Sequence, residues 1–258
     1  MKNQGDSYNE KSISSASSTD INSSVSPGSE SSSRFKNSSP LRYFRARVAA
    51  FIMTFIVVAG QTWIAYVIQF DFVWILPVIS GVMLTISIIA YSGSDMKPSK
   101  SDRTMSIMVL VILTLINMLC IGWFIYDMLN PDTVTISYEL LLVGFALWIV
   151  NIGVFSLAYW ELDAGGPEVR ALGLPTVFRK KVYPDFVFVQ QVNTDSKLVP
   201  PNWSPGFIDY LYLAFIAAIA FSPDTPTPYS HMAKMMLASE SLVSLFIIGL
   251  IISRAIAL

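Results

Sequence analysis

The sequence predicts an all-α fold: a polytopic transmembrane bundle of six hydrophobic helices behind a disordered N-terminal tail. Three observations predict it. Of 258 residues, 53% are hydrophobic and only 14% charged, too apolar a balance for a soluble domain of this length. The apolar residues fall in five runs of about 20 or more and one shorter run, the length that a hydrocarbon layer of roughly 30 Å demands of a helix. Basic residues alternate in the connections, present on one side of the runs and absent on the other.

The same numbers exclude several functions. Net charge is −1 with dispersed basic residues, so there is no nucleic-acid footprint. One cysteine, Cys120, lies inside an apolar run, which fits a small buried hydrophobe and rules out an intrachain disulfide. One histidine, His231, excludes a two-histidine metal motif and leaves no Ser/His/Asp set. Glu161 and Asp163 are a close acidic pair, but at a helix exit, where turn chemistry explains them better than catalysis. No enzyme, metal or cofactor is expected.

Residues 1–41 form a tail with fifteen serines before Leu41 and almost nothing to bury; it should be disordered and cytoplasmic. Arg42, Arg45 and Arg47 precede the first apolar run and hold the N-terminus inside. Within the membrane domain, 42–258, span one is expected over 48–69 and span two over 72–91, with Pro77 inside it as a kink. The connection 92–104 carries Lys97, Lys100 and Arg103, whereas the one near 130–137 carries Asp132 and no base. Span three occupies 105–129 and span four 138–160, closing on Tyr159 and Trp160 as headgroup-level anchors.

A polar cytoplasmic loop, 161–204, follows, with a glycine-rich turn at Gly165 and Gly166 and strand-like alternation over 183–191, one arm of a hairpin. Ser204 before Pro205 reads as an N-cap with proline at the first helical position, and Thr227 before Pro228 repeats it. The fifth helix, 205–221, is about 25 Å long, the lower limit for a span, and the sixth, 228–257, is about 45 Å and must tilt or protrude. Lysines and arginines do not decide whether the fifth helix crosses or dips back, since only Lys234 and Arg254 change sides. Six crossings with both termini in the cytoplasm is the reading carried forward, with a re-entrant fifth helix as the alternative.

Gln61, Asn117, Asn151 and Glu240 each lie far from both ends of a span. Each is about 12 or 13 residues along its helix, or roughly 18 to 20 Å, so the four share a mid-membrane depth. Polar groups there should face one another or water. The amides read either as interhelical glue or as part of a hydrated cavity. Glu240 must be protonated, paired or hydrated; Ser241 is adjacent, and Ser244 shares its helical face.

The C-terminal order of apolar helix, polar loop, short helix DYLYLAFIAAIAF, turn SPDTPTP and long helix with a central glutamate resembles the pore module of tetrameric cation channels. On that resemblance, over about the last 120 residues, Asp209 stands where a pore helix begins, Ser222 and Asp224 where an ion filter would lie, and Glu240 in the inner helix. The filter-like stretch AFSPDT has no glycine, and Pro223 restricts it, so the glycine-containing carbonyl filter of potassium channels is not implied. The chain is also similar to uncharacterised bacterial multi-pass proteins sharing the YWELDAGGP and DYLYLAF patterns. A channel-like or transport protein of the cell membrane is therefore expected, with the lipid bilayer and a homo-oligomer as partners. The alternative is a non-transporting membrane component that binds a protein through its tail or the 161–204 loop.

Overall fold

The computed structural model describes residues 40–68, 79, 81–82, 100–130, 137–172, 183–193, 197–199, 203–220 and 226–256. The fold is all-α. Among the described residues, four helices are long and apolar enough to cross a membrane: α1 (Pro40–Val67), α2 (Lys100–Leu129), α3 (Ser137–Leu162) and α7 (His231–Ile256). Between α3 and α7 come a single 3-10 turn (Asp163–Gly165), α4 (Pro167–Leu172), β1 (Phe186–Val187), α5 (Val189–Val192), α6 (Phe207–Ile219) and β2 (Thr227–Pro228). Residues 1–39 of the expected tail, the second expected span except for helical Ile79, Gly81 and Val82, and Ser222 and Asp224 lie outside the described residues, while Pro40 and Leu41 already belong to α1.

Helices are the solution here because a spanning segment must satisfy its backbone internally. Several hydroxyls in the spans do the same. Thr54, Thr62 and Thr114 each donate to the carbonyl four residues back, at 3.0, 2.8 and 2.8 Å. Such residues place polar atoms in an apolar helix without needing a neighbour.

α3 is the centre of the bundle, packed by α1, α2, α6 and α7. It is also the most enclosed of the four long helices, and α7 is the least. Small residues bring α1 against it: a Cβ added to Gly153 would stand 2.6 Å from Val57 Cγ2, and one on Gly60 would stand 2.7 Å from Val150 Cγ2. The pairings 60 with 150 and 57 with 153 make α1 and α3 antiparallel. A cleft lined by Ala50, Thr54, Ser106, Leu110, Leu157 and Glu161 gathers the start of α1, the start of α2 and the end of α3 at one end of the bundle.

The fifth expected helix is shorter than the sequence implied, 13 residues in α6, or about 20 Å. It is capped by Gly206 rather than Ser204, with Gly206 N–H donating to Asp209 Oδ2 at 2.7 Å. Asp209 stands in the first turn, where a carboxylate also meets the positive end of the helix dipole. α7 likewise begins later than expected, because Ser230 Oγ takes the Ala233 N–H at 3.0 Å, while Thr227 and Pro228 are spent on a strand. β2 pairs antiparallel with β1, Phe186 opposite Pro228 and Val187 opposite Thr227. The strand-like stretch 183–191 therefore finds its partner beyond α6, and after two strand residues it turns into α5.

This pairing corrects the expected crossing of the fifth helix. Before α6, Phe207 packs edge-on against Trp160 with ring centres 5.9 Å apart. After it, β2 and Tyr229 attach to β1 and Asp185, and Asp185 bonds the turn at the end of α3. Both flanks of α6 are thus fixed at the same end of α3, so the helix dips into the bundle and the chain returns to the side it left. α7 then starts from that side and runs antiparallel to α3, with Gly144 against Ile251 and Asn151 against Ser244. In consequence the start of α1 and the end of α7 lie at opposite ends of the bundle, not together.

Candidate functional site

Two polar clusters are built on α3, one at its C-terminal end and one inside the bundle. The first begins with the left-handed backbone after the helix: Ala164, Gly165 and Gly166 have φ of 49, 81 and 105°, which is why two glycines stand here. The turn exposes the last carbonyls of α3, and Arg170 caps them, Nη1 to Asp163 O at 2.5 Å and Nη2 to Trp160 O at 2.7 Å. Asp163 becomes a buried acceptor. Its Oδ1 takes the N–H of Asp185 at 2.7 Å and of Phe186 at 3.1 Å, and its Oδ2 takes the Tyr210 hydroxyl at 2.5 Å. Arg170 lies 4.0 Å from that carboxylate and 5.0 Å above the Tyr210 ring.

Asp185 closes the cluster, accepting from Ala164 N–H at 3.2 Å through its carboxylate and from Tyr229 N–H at 2.8 Å through its backbone. One carboxylate thereby ties together α3, β1 and α6, and through Asp185 reaches the residue before α7. This node fixes the entry angle of α6. Of the acidic pair singled out in the sequence, Asp163 takes the turn role.

The interior cluster gathers residues that the sequence marked in separate spans. Asn117 Nδ2 on α2 donates to Asn151 Oδ1 on α3 at 3.0 Å, and Asn151 Nδ2 donates to Ser244 Oγ on α7 at 3.1 Å. Gln61 on α1 donates through Nε2 to Leu113 O at 2.9 Å, one turn before Asn117. Glu240, one turn before Ser244, receives the hydroxyl of Tyr159 on its Oε2. Gln61, Asn117, Asn151, Tyr159, Glu240 and Ser244 are all buried. Glu240 Oε1, Asn117 Oδ1 and Gln61 Oε1 have no hydrogen-bond partner among the described residues, although each is buried.

The partner of Glu240 is not the neighbour the sequence offered. Ser241 turns instead to α6, donating to Ala217 O at 3.0 Å. Ala217 and Ser241 are each ten residues, about 15 Å, along their helices, so the inner end of α6 stops at the depth of Glu240. Ala220, the residue that ends α6, adopts φ 55°, left-handed backbone that costs a non-glycine residue roughly 1–2 kcal/mol.

Tyr159 and Trp160 are not headgroup anchors: both are buried, the first on Glu240 and the second against Phe207. Sequence reasoning missed Tyr159, Arg170, Asp185 and Tyr210. For Tyr159 a signal existed, since it stands eight residues after Asn151 and therefore on the same helical face. Asp209 is placed as a first-turn residue of α6 outside the interior cluster. Among the described residues no group of three or more His, Cys, Asp or Glu side chains could hold a metal ion. Comparison of the chain with protein-family models, curated proteins and solved structures gave no match.

Proposed function

We propose that this integral membrane protein is of channel-like or transport type, seated in the cell membrane, with the node end of α3 and the N-terminal tail in the cytoplasm. Its permeant meets Glu240, Asn151, Asn117 and Gln61 at mid-membrane depth. The observation that carries the reading is the dipping helix: α6 enters from one side and ends beside the turn of α7 that holds Glu240. The C-terminal end of a helix presents unpaired carbonyls and the negative end of its dipole. Set next to a carboxylate inside the bundle, that end favours a positive species, and interrupted helices ending near the midplane form the ion sites of many transporters.

The likeness to the pore module of cation channels supports the same reading, because a half-length helix before an inner helix is what both arrangements share. A homo-oligomer around α7 follows from it, as α7 is the least enclosed of the long helices. The decisive measurement is cation and proton flux into liposomes holding the purified protein, together with its oligomeric state. Flux abolished by Glu240→Gln supports transport, and a silent monomer rejects it.

One observation favours the second reading, a non-transporting component that acts through a partner. Tyr183, Val189, Val192 and Leu198 are exposed, from 57 to 73%, in and around the short segments beside the node. A silent protein that copurifies with a partner lost on mutating these four would take that reading forward.

A further inference from the structure

We infer that the species held at the interior cluster is a proton, bound by Glu240 with Tyr159 as its fixed partner; this rests on the transport reading for its purpose, but not for its chemistry. The first ground is the inventory of groups around Glu240. From α3 it meets the Tyr159 hydroxyl, and the next side chains of the cluster are the amides Asn151 and Asn117. On the α6 side, the adjacent Ser241 donates to the Ala217 carbonyl. Gln61 on α1 is engaged with Leu113. None of these carries a formal charge. On its own helix, the charged or titratable residues are His231 and Lys234 in the first turn and Arg254 in the last.

The second ground is a count of hydrogens. A carboxylate offers four lone-pair directions, and among the described residues one donor serves Oε2 while Oε1 has none. Ionised, the group would be a buried charge with no counter-ion bound to it among the described residues, which costs several kcal/mol even after relaxation. A proton arriving from water removes that charge by forming one O–H bond on the carboxylate. The proton comes from a hydronium ion, one of whose O–H bonds breaks to leave water; the Tyr159 hydroxyl keeps its own hydrogen, and release to water on the other side is the reverse step.

The third ground is that the oxygens are not gathered for a metal ion. A dehydrated cation needs a shell of oxygens in place of its water. The other two free acceptors, Asn117 Oδ1 and Gln61 Oε1, belong to α2 and α1, whereas α7 packs chiefly on α3 and α6. Asn151 Oδ1 is already occupied by Asn117.

The test uses the full chain in lipid nanodiscs and in liposomes. Infrared difference spectra between acid and alkaline buffer should show one carboxyl stretch that is lost in Glu240→Gln, retained in Glu240→Asp, and displaced in Tyr159→Phe. In liposomes under an imposed potential, internal pH should change whether sodium, potassium or choline is the bulk cation, and the change should fall to the protein-free level in Glu240→Gln. The inference is overturned if no carboxyl band depends on residue 240, or if flux follows sodium or potassium with no movement of protons. That last result would leave the transport reading standing. Conversely, a titrating band at Glu240 without flux of any ion keeps the proton and discards transport. Should Glu240→Gln fail to fold, Glu240→Asp and Tyr159→Phe carry the same decision through the position of the band.

Discussion

Tyr159 and Glu240 are bound by one hydrogen bond across eighty-one residues of sequence, and among the described residues neither side chain has another hydrogen-bond partner. Removing one leaves the second as a buried polar group without compensation, at a cost of about 1–3 kcal/mol. Replacing both with apolar groups of similar volume removes the demand altogether. Tyr159→Phe and Glu240→Met should therefore each lower unfolding stability in detergent by roughly that amount, and the double variant should lose clearly less than their sum. Additive losses would show that the two residues are satisfied independently. What was legible at this scale was the unusual residue, not its partner. A glutamate or asparagine among leucines is conspicuous in a sequence, whereas a tyrosine near the end of a span looks like an ordinary interfacial side chain. Asp163, Asp185, Arg170 and Tyr210 were hidden for another reason, because the carboxylate's donors arrive from 22 to 47 residues away and only the folded chain brings them to one turn.

The long helices were legible as elements because hydrocarbon leaves the backbone no alternative, and observed ends differ from the expected ones mainly where a polar first turn extends them. α1 starts at Pro40 and α2 at Lys100, ahead of the apolar runs the sequence marks. The short helix was the hard case. Thr227 and Pro228 have the composition of a helix start, yet they serve as a strand opposite Phe186 and Val187, and Ser230 does the capping. A two-residue pairing partner forty residues away leaves no local trace, so the sequence could not separate crossing from dipping. The dip has a direct consequence for accessibility. Ser204, before α6, and Tyr229, after it, are both exposed and anchored at the node end. With the buried Cys120 changed to alanine, single cysteines at 204 and 229 should react with a membrane-impermeant maleimide from the same side of sealed vesicles, and a cysteine at 253 from the opposite side. Labelling of 204 and 229 from opposite sides would mean that α6 crosses.

At the scale of the whole molecule, the dip sorts the charges. α1 and α2 start at the node end, and so does α7; Arg42, Arg45, Arg47, Lys100, Arg103, Arg170 and Lys234 therefore occupy positions on one face, and Arg254 lies near the other. Six crossings would instead have moved Lys234 away from its fellows. On the proposed orientation, in which segments rich in lysine and arginine remain in the cytoplasm, the node, the exposed residues around α5 and the start of α1 lie inside, and the end of α7 outside. On that orientation the start of α1 and the end of α7 fall on opposite faces, because α1, α2 and α7 run in one direction, α3 runs in the other, and α6 enters and leaves on one side. The expected result is specific: a phosphatase that folds only outside the cytoplasm should be active when fused after Leu258 and silent when fused before Met1, and a fluorescent protein that matures only inside should give the reverse. If both ends reported the cytoplasm, the depth shared by Ala217 and Ser241 could not come from a helix that enters and leaves on one side, and the placement of a helix end beside Glu240 would lose its basis.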